Sequence, residues 1–198
     1  MTLPRFYPIF DSADWIARAL NAGVRMVQLR IKDADDSTLT AEMTRARDLA
    51  RDAGAIMVVN DHWRHAIDLG CDWLHLGQED LDTADLPAIR AAGLRLGVST
   101  HDGAELDRAL SVAPDYIALG PVYPTILKKM PWAPQGLDRI TDWKRQVGTT
   151  PLVAIGGMSV ERAPGAFAAG ADIVSAVTDI TLNPDPDARL HDWLRVCA

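Results

Sequence analysis

The chain has 198 residues, 48% of them apolar, which is enough for one domain with a complete hydrophobic core. Asp and Glu outnumber Lys and Arg by 27 to 20, a formal charge of −7, and no basic run interrupts that balance. Nucleic acids and anionic membrane surfaces are therefore not expected partners, because both are met by a basic face.

From the N-terminus onward, short apolar runs alternate with longer amphipathic segments. The runs at 6–10 (FYPIF), 26–31 (MVQLRI), 55–60 (AIMVVN), 73–77 (WLHLG), 94–99 (LRLGVS), 116–120 (YIALG), 152–156 (LVAIG) and 172–177 (DIVSAV) predict eight strands. Helical patterns such as 37–53 and 102–113 lie between them. Glycine follows the helical segments at 23, 54, 70, 93 and 170, the signal of a left-handed helix end. Crossovers this short imply parallel strands. Eight such units in one chain predict a single (β/α)₈ barrel over 1–198. A doubly wound sheet is the competing architecture, but G-x-G-x-x-G after the first strand is missing.

The opening residues lack the charged and apolar regions of a signal peptide. No apolar run approaches the ~20 residues that span a bilayer. The cytoplasm is the expected location. The two cysteines, Cys71 and Cys197, have neither metal-ligand spacing nor a disulfide framework.

An acidic protein that binds an anion must gather a few cations in one place. In the second strand, alternation puts Gln28, Arg30 and Lys32 on one face and Val27, Leu29 and Ile31 on the other. The apolar set should face the helices, which turns the polar set towards the barrel axis, onto an internal ion pair or an anionic ligand. Asn60 and Asp61 close the third strand, and Asp80 follows the fourth. Each alone reads equally as a turn or helix cap. Together the two carboxylates suit Mg²⁺, which takes one or two carboxylates plus phosphate oxygens. Ser99 ends the fifth strand and either binds ligand or caps the next helix. His75 reads as a packed or hydrogen-bonded core residue. The proline-rich segment 121–135 carries Thr125 and Lys128 on the C-terminal rim, where barrels place their chemistry. Gly156-Gly157 after the seventh strand and Val177-Thr178 after the eighth suit a phosphate, or a plain tight turn.

The ordered set QLRIK, ND, GQED, GVSTH, GPVYPT-x-x-K, IGG and GAD…V-T resembles the thiamine-phosphate synthase family, from the second strand to the eighth. The resemblance implies a (β/α)₈ transferase that joins hydroxymethylpyrimidine diphosphate to a thiazole phosphate and releases diphosphate with Mg²⁺. It implies that Gln28, Arg30, Lys32, Asn60 and Lys128 hold the pyrimidine diphosphate, with Ser99 beside it. Arg30, Lys32 and Lys128 are the expected catalytic cations. Asp61 and Asp80 would hold the metal, and Thr125, Gly157, Val177 and Thr178 would surround the thiazole phosphate. The scheme implied is dissociation of diphosphate followed by attack of the thiazole nitrogen. Two positions depart from the family pattern: Leu127 replaces the second Thr of Thr-x-Thr-Lys, and Thr178 replaces a Ser.

Two rivals remain. A related thiazole tautomerase barrel would carry a histidine where this chain has Pro121. A non-catalytic regulator would bind thiazole or thiamine phosphate without turnover. The expected partners are these small molecules, and a homo-oligomer is compatible with the sequence.

Overall fold

The computed structural model describes residues 2–125 and 133–198. In chain order its elements are β1 (Ile9–Phe10), α1 (Ala13–Ala22), β2 (Met26–Leu29), α2 (Asp36–Asp52), β3 (Ile56–Asn60), α3 (Trp63–Asp68) and β4 (Trp73–Leu76). They continue with α4 (Gln78–Thr83), α5 (Leu86–Ala91), β5 (Arg95–Thr100), α6 (Gly103–Ser111), β6 (Tyr116–Leu119), α7 (Gly136–Val147) and β7 (Leu152–Ile155). The chain ends on α8 (Ala163–Ala168), β8 (Ile173–Ser175), α9 (Thr178–Thr181) and α10 (Pro186–Val196).

All eight strands expected from the apolar runs form, and they pair in sequence order, each parallel to the next. The ring closes where Tyr7 N–H donates to Val174 C=O at 3.0 Å and Ile9 N–H to Ala176 C=O at 3.1 Å. The doubly wound alternative, an open sheet, does not match this closure. Strand ends are shorter than the apolar runs. Pro8 has no N–H to give the ladder, and β1 keeps only Ile9–Phe10 with an isolated bridge at Phe6. The second strand stops at Leu29, although Arg30 N–H still reaches Phe10 C=O at 2.7 Å.

Local chemistry starts and stops the helices. Ser12, Asp35 and Asp102 cap α1, α2 and α6 by accepting from the amides of Trp15, Thr38 and Glu105. Gly23 ends α1 at φ 109°, a conformation that a Cβ disfavours.

Strand alternation builds two apolar layers. Val27, Leu29, Val59, Leu74, Leu96, Ile117 and Val174 pack outward against the helices. Tyr7, Met26, Val58, Trp73, Tyr116, Val153 and Ile173 fill the barrel interior. The inner faces of β2 to β5 then turn polar towards their C-terminal ends, at Gln28, Asn60, His75 and Ser99.

Candidate functional site

The first cluster stands on the ends of β2, β3 and β4. Gln28 and Asn60 are buried inside the barrel, as alternation requires. Arg30 follows β2, half-buried, and its charge reaches both Asp61 and His75. Lys32 does not join them inside the barrel. It lies on the exposed segment leading to α2, because the strand has ended and alternation no longer governs its direction.

Asp61 sits at φ 64°, uncommon for a residue with a side chain. It accepts a hydrogen bond from the Asn60 side-chain amide, and its backbone N–H donates to His75 C=O at 3.0 Å. It does not cap α3, whose N-cap is His62 with no side-chain cap bond. Burial first, and then the neighbouring Asp80 carboxyl, push Asp61 up to about 6, against the pull of Arg30 and Asn60. Asp80 also reaches back to the Gly77 amide at 3.3 Å, so its helix-capping role is real but does not occupy both its oxygens. A buried carboxyl that a second carboxyl holds towards its protonated form offers hard oxygen donors of the kind that suit Mg²⁺. They form a pair rather than a cage, which suits a cation bound largely through substrate phosphate.

Behind this cluster a chain of hydrogen bonds crosses the barrel. Gln28 Nε2 donates to Tyr7 Oη at 2.7 Å, and the Tyr7 and Tyr116 hydroxyls are 2.8 Å apart. His75 Nδ1 meets Tyr116 Oη at 2.9 Å, and His75 Nε2 meets Ser99 Oγ at 2.8 Å. Burial, followed by the Arg30 charge, lowers His75 to about 4, so the imidazole is neutral near pH 7. Ser99 does not cap α6, since Asp102 does.

The second cluster lies on the opposite side of the mouth, between the segments after β6, β7 and β8. Val122 N–H donates to Ile155 C=O at 2.9 Å and Tyr123 N–H to Gly156 C=O at 3.0 Å, strapping two loops together. Gly157, at φ 62°, tolerates no side chain: a Cβ there would stand 2.3 Å from the Pro124 carbonyl oxygen. The glycine pair is thus required by loop-on-loop packing, whatever it binds.

Beside it is a cleft of about 240 Å³ lined by Thr125, Gly157, Ser159, Arg162, Thr178 and Asp179, among others. The Asp179 carboxylate is turned onto a guanidinium that it shares with Glu161. Arg189 meets the two Asp179 oxygens at 2.8 and 2.9 Å, and Trp193 Nε1 donates to Asp179 at 2.8 Å. Arg162 stacks over the Tyr123 ring at 4.5 Å and donates to Gly157 C=O, which holds a guanidinium at the cleft.

The structure therefore places Gln28, Arg30, Asn60, Asp61, Asp80 and Ser99 on one side of the mouth. Thr125, Gly157 and Thr178 lie on the other, with Val177 at the N-cap of α9. Lys128 and Leu127 lie outside the described residues. Arg162 was not singled out from sequence. Its signal was faint, an Arg five residues after the glycine pair. Tyr7 and Tyr116 were hidden among apolar strand residues, and their hydroxyls meet only through the closed barrel.

A family model described as thiamine monophosphate synthase matches residues 6–180. A thiamine-phosphate synthase of Rhizobium etli is 58% identical over 198 residues, covering 100% of this chain and 97% of that protein. One from Neisseria meningitidis serogroup B is 48% identical over 184 residues, covering 93% of this chain and 90% of that protein. Among solved structures, a thiamine phosphate pyrophosphorylase from Pyrococcus furiosus matches with a TM-score of 0.85 at 24% identity, covering 98% of this chain and 95% of that one. A 3-hexulose-6-phosphate synthase matches with a TM-score of 0.71 at 14% identity, covering 98% and 100%. The two structural likenesses speak to the fold.

Proposed function

The chain belongs to the thiamine monophosphate synthase family, and from that premise we propose how its two clusters divide the work of a transferase that makes thiamine phosphate. The reaction joins hydroxymethylpyrimidine diphosphate to a thiazole phosphate and releases diphosphate. One observation carries the division of labour: the Asp61–Asp80 carboxyl pair, with Arg30 beside it, stands at the ends of β3 and β4, while Arg162 borders a separate cleft by the segments after β6, β7 and β8.

In this reading the pyrimidine diphosphate lies over the ends of β2 to β5. Asp61 and Asp80 would hold Mg²⁺, which would supply positive charge to offset that building on the departing diphosphate. Arg30 stabilises that charge from the strand end, Lys32 on the exposed segment after β2 adds a second cation, and Lys128 is proposed as a third. Asn60 donates to the Asp61 carboxyl and orients it, and Ser99 offers a hydroxyl to the substrate. Gln28 is buried and acts from behind the first layer. The thiazole phosphate occupies the cleft between Thr125, Gly157 and Thr178, with Val177 at its edge. Arg162 supplies a counter-charge that the family pattern does not name. With C–O cleavage first, the aminopyrimidine carries the cation until the thiazole nitrogen attacks, and the rim must keep water away in between.

Pro121 favours the synthase over a tautomerase. It is buried against Gly156, where a Cβ would stand 2.6 Å from Pro121 Cα, and it provides no group to move a proton. The barrel as a whole, 1–198, serves as one catalytic domain, and biosynthesis of this kind suits the cytoplasm. Incubating the purified protein with both substrates and Mg²⁺ tests the reading. Thiamine phosphate and diphosphate should form in equal amounts. Tight thiazole phosphate binding without turnover would instead support a regulator.

A further inference from the structure

We propose that Tyr7, Tyr116 and His75 are positioning residues, a buried relay that makes the Ser99 hydroxyl a hydrogen-bond donor towards an anionic oxygen of the diphosphate substrate. The proposal rests on the assignment of Ser99 to that substrate.

Counting protons gives the relay its direction. Gln28 Nε2 donates to Tyr7 Oη, and a phenol has only one proton to pass on. Among the described residues Tyr116 Oη is the one acceptor the Tyr7 hydroxyl meets, and the reverse order, Tyr116 to Tyr7, would bury the Tyr7 proton unpaired. We therefore assign Tyr7 as the donor across 2.8 Å, which turns the Tyr116 proton to His75 Nδ1 across 2.9 Å. The imidazole then carries its single proton on Nε2 and donates it to Ser99 Oγ across 2.8 Å. Each hydroxyl and imidazole proton in the relay is used except that of Ser99, whose Oγ has His75 as its side-chain partner among the described residues. The opposite polarity would consume the Ser99 proton at His75 and leave only lone pairs for the ligand. Lone pairs repel an anionic oxygen, whereas an O–H binds it.

Burial keeps the relay in one state. Gln28, Tyr7 and Tyr116 are 2%, 1% and 0% exposed, and His75 is 7% exposed, so bulk water has little chance to replace a member. The Tyr116 ring is seated on Gly97, where a Cβ would come within 2.0 Å of its Cζ. Four polar groups in a barrel interior are costly compared with an apolar filling of the same shape. A relay with an output at the mouth accounts for them.

Two measurements test this. In ¹⁵N spectra of the wild-type protein, assigned with His75→Gln, His75 should have a bare Nδ1 and a protonated Nε2. The reverse tautomer would overturn the relay's direction. In steady-state kinetics, Tyr116→Phe keeps the ring and deletes the hydroxyl. It should raise KM for the pyrimidine diphosphate about tenfold, the size of one hydrogen bond to a charged acceptor, and leave KM for the thiazole phosphate unchanged. In a Ser99→Ala background the same change should do nothing further, because Tyr116 acts through Ser99. An equal loss in both backgrounds, or an unchanged KM in the folded single variant, would reduce the tyrosines to core residues. Should Tyr116→Phe fail to fold, Tyr7→Phe runs the same cycle. A wild-type protein without turnover would count against the proposed reaction, while the tautomer still decides the relay.

Discussion

Asp61→Asn should stabilise the metal-free protein at neutral pH while removing most of its turnover. The Asp61 carboxyl is raised from 3.8 to about 6, so the folded state holds that proton more tightly than the unfolded chain does. Stability attributable to this group then falls as pH rises from about 4 to about 6, and the deficit is complete above that range. Two pKa units correspond to about 3 kcal/mol at most, and the partly exposed edge of the carboxyl reduces this to about 1–2 kcal/mol. Losing the anion also deprives Arg30 of an attraction, but the net upward shift shows that burial and Asp80 outweigh it. Asparagine suits the test because it tolerates φ 64° and keeps an oxygen for the Asn60 amide. Alanine would add backbone strain of about 1–2 kcal/mol. In chelator at pH 7.5 the unfolding midpoint should rise by about 3–6 °C, and near pH 4 the gain should vanish. With Mg²⁺ and both substrates, turnover should drop at least ~10²-fold. A lower or unchanged midpoint at pH 7.5, a gain equal at both pH values, or full turnover would refute the reasoning.

Arg30→Ala should weaken the pyrimidine diphosphate far more than the thiazole phosphate in calorimetry; equal losses would place Arg30 in the wrong half of the site. Arg162→Gln should raise KM for the thiazole phosphate about tenfold and leave the other substrate unaffected, since the amide is neutral and too short to replace the guanidinium. Losing the stack on Tyr123 and the bond to Gly157 C=O should cost about 0.5–1.5 kcal/mol of stability. Gly157→Ala should cost at least about 2 kcal/mol in denaturant unfolding, because its Cβ meets the Pro124 carbonyl and its φ is 62°. An unfolding curve matching wild type would mean that the strap between the loops after β6 and β7 yields easily.

The sequence by itself determined the eight strands, their parallel order and the inward face of β2. Each follows from backbone geometry acting over a few residues: side chains alternate along a strand, and one helix between strands forces them parallel. The inward placement of Gln28, and the nomination of Asp61 and Asp80 as a pair, were legible for that reason. The placement of Lys32 was not, because alternation stops with the strand at Leu29 and the exposed segment beyond it follows no period. Only the tertiary structure decided that the Tyr7 and Tyr116 hydroxyls meet, 109 residues apart, since closing the sheet brings β1 and β6 to face each other across the barrel. It also decided that Arg162 borders the cleft and that Gly157 is required by the Pro124 carbonyl. Contacts of that kind depend on how far the barrel curves before it closes, a property of all eight strands at once that no local run of residues encodes.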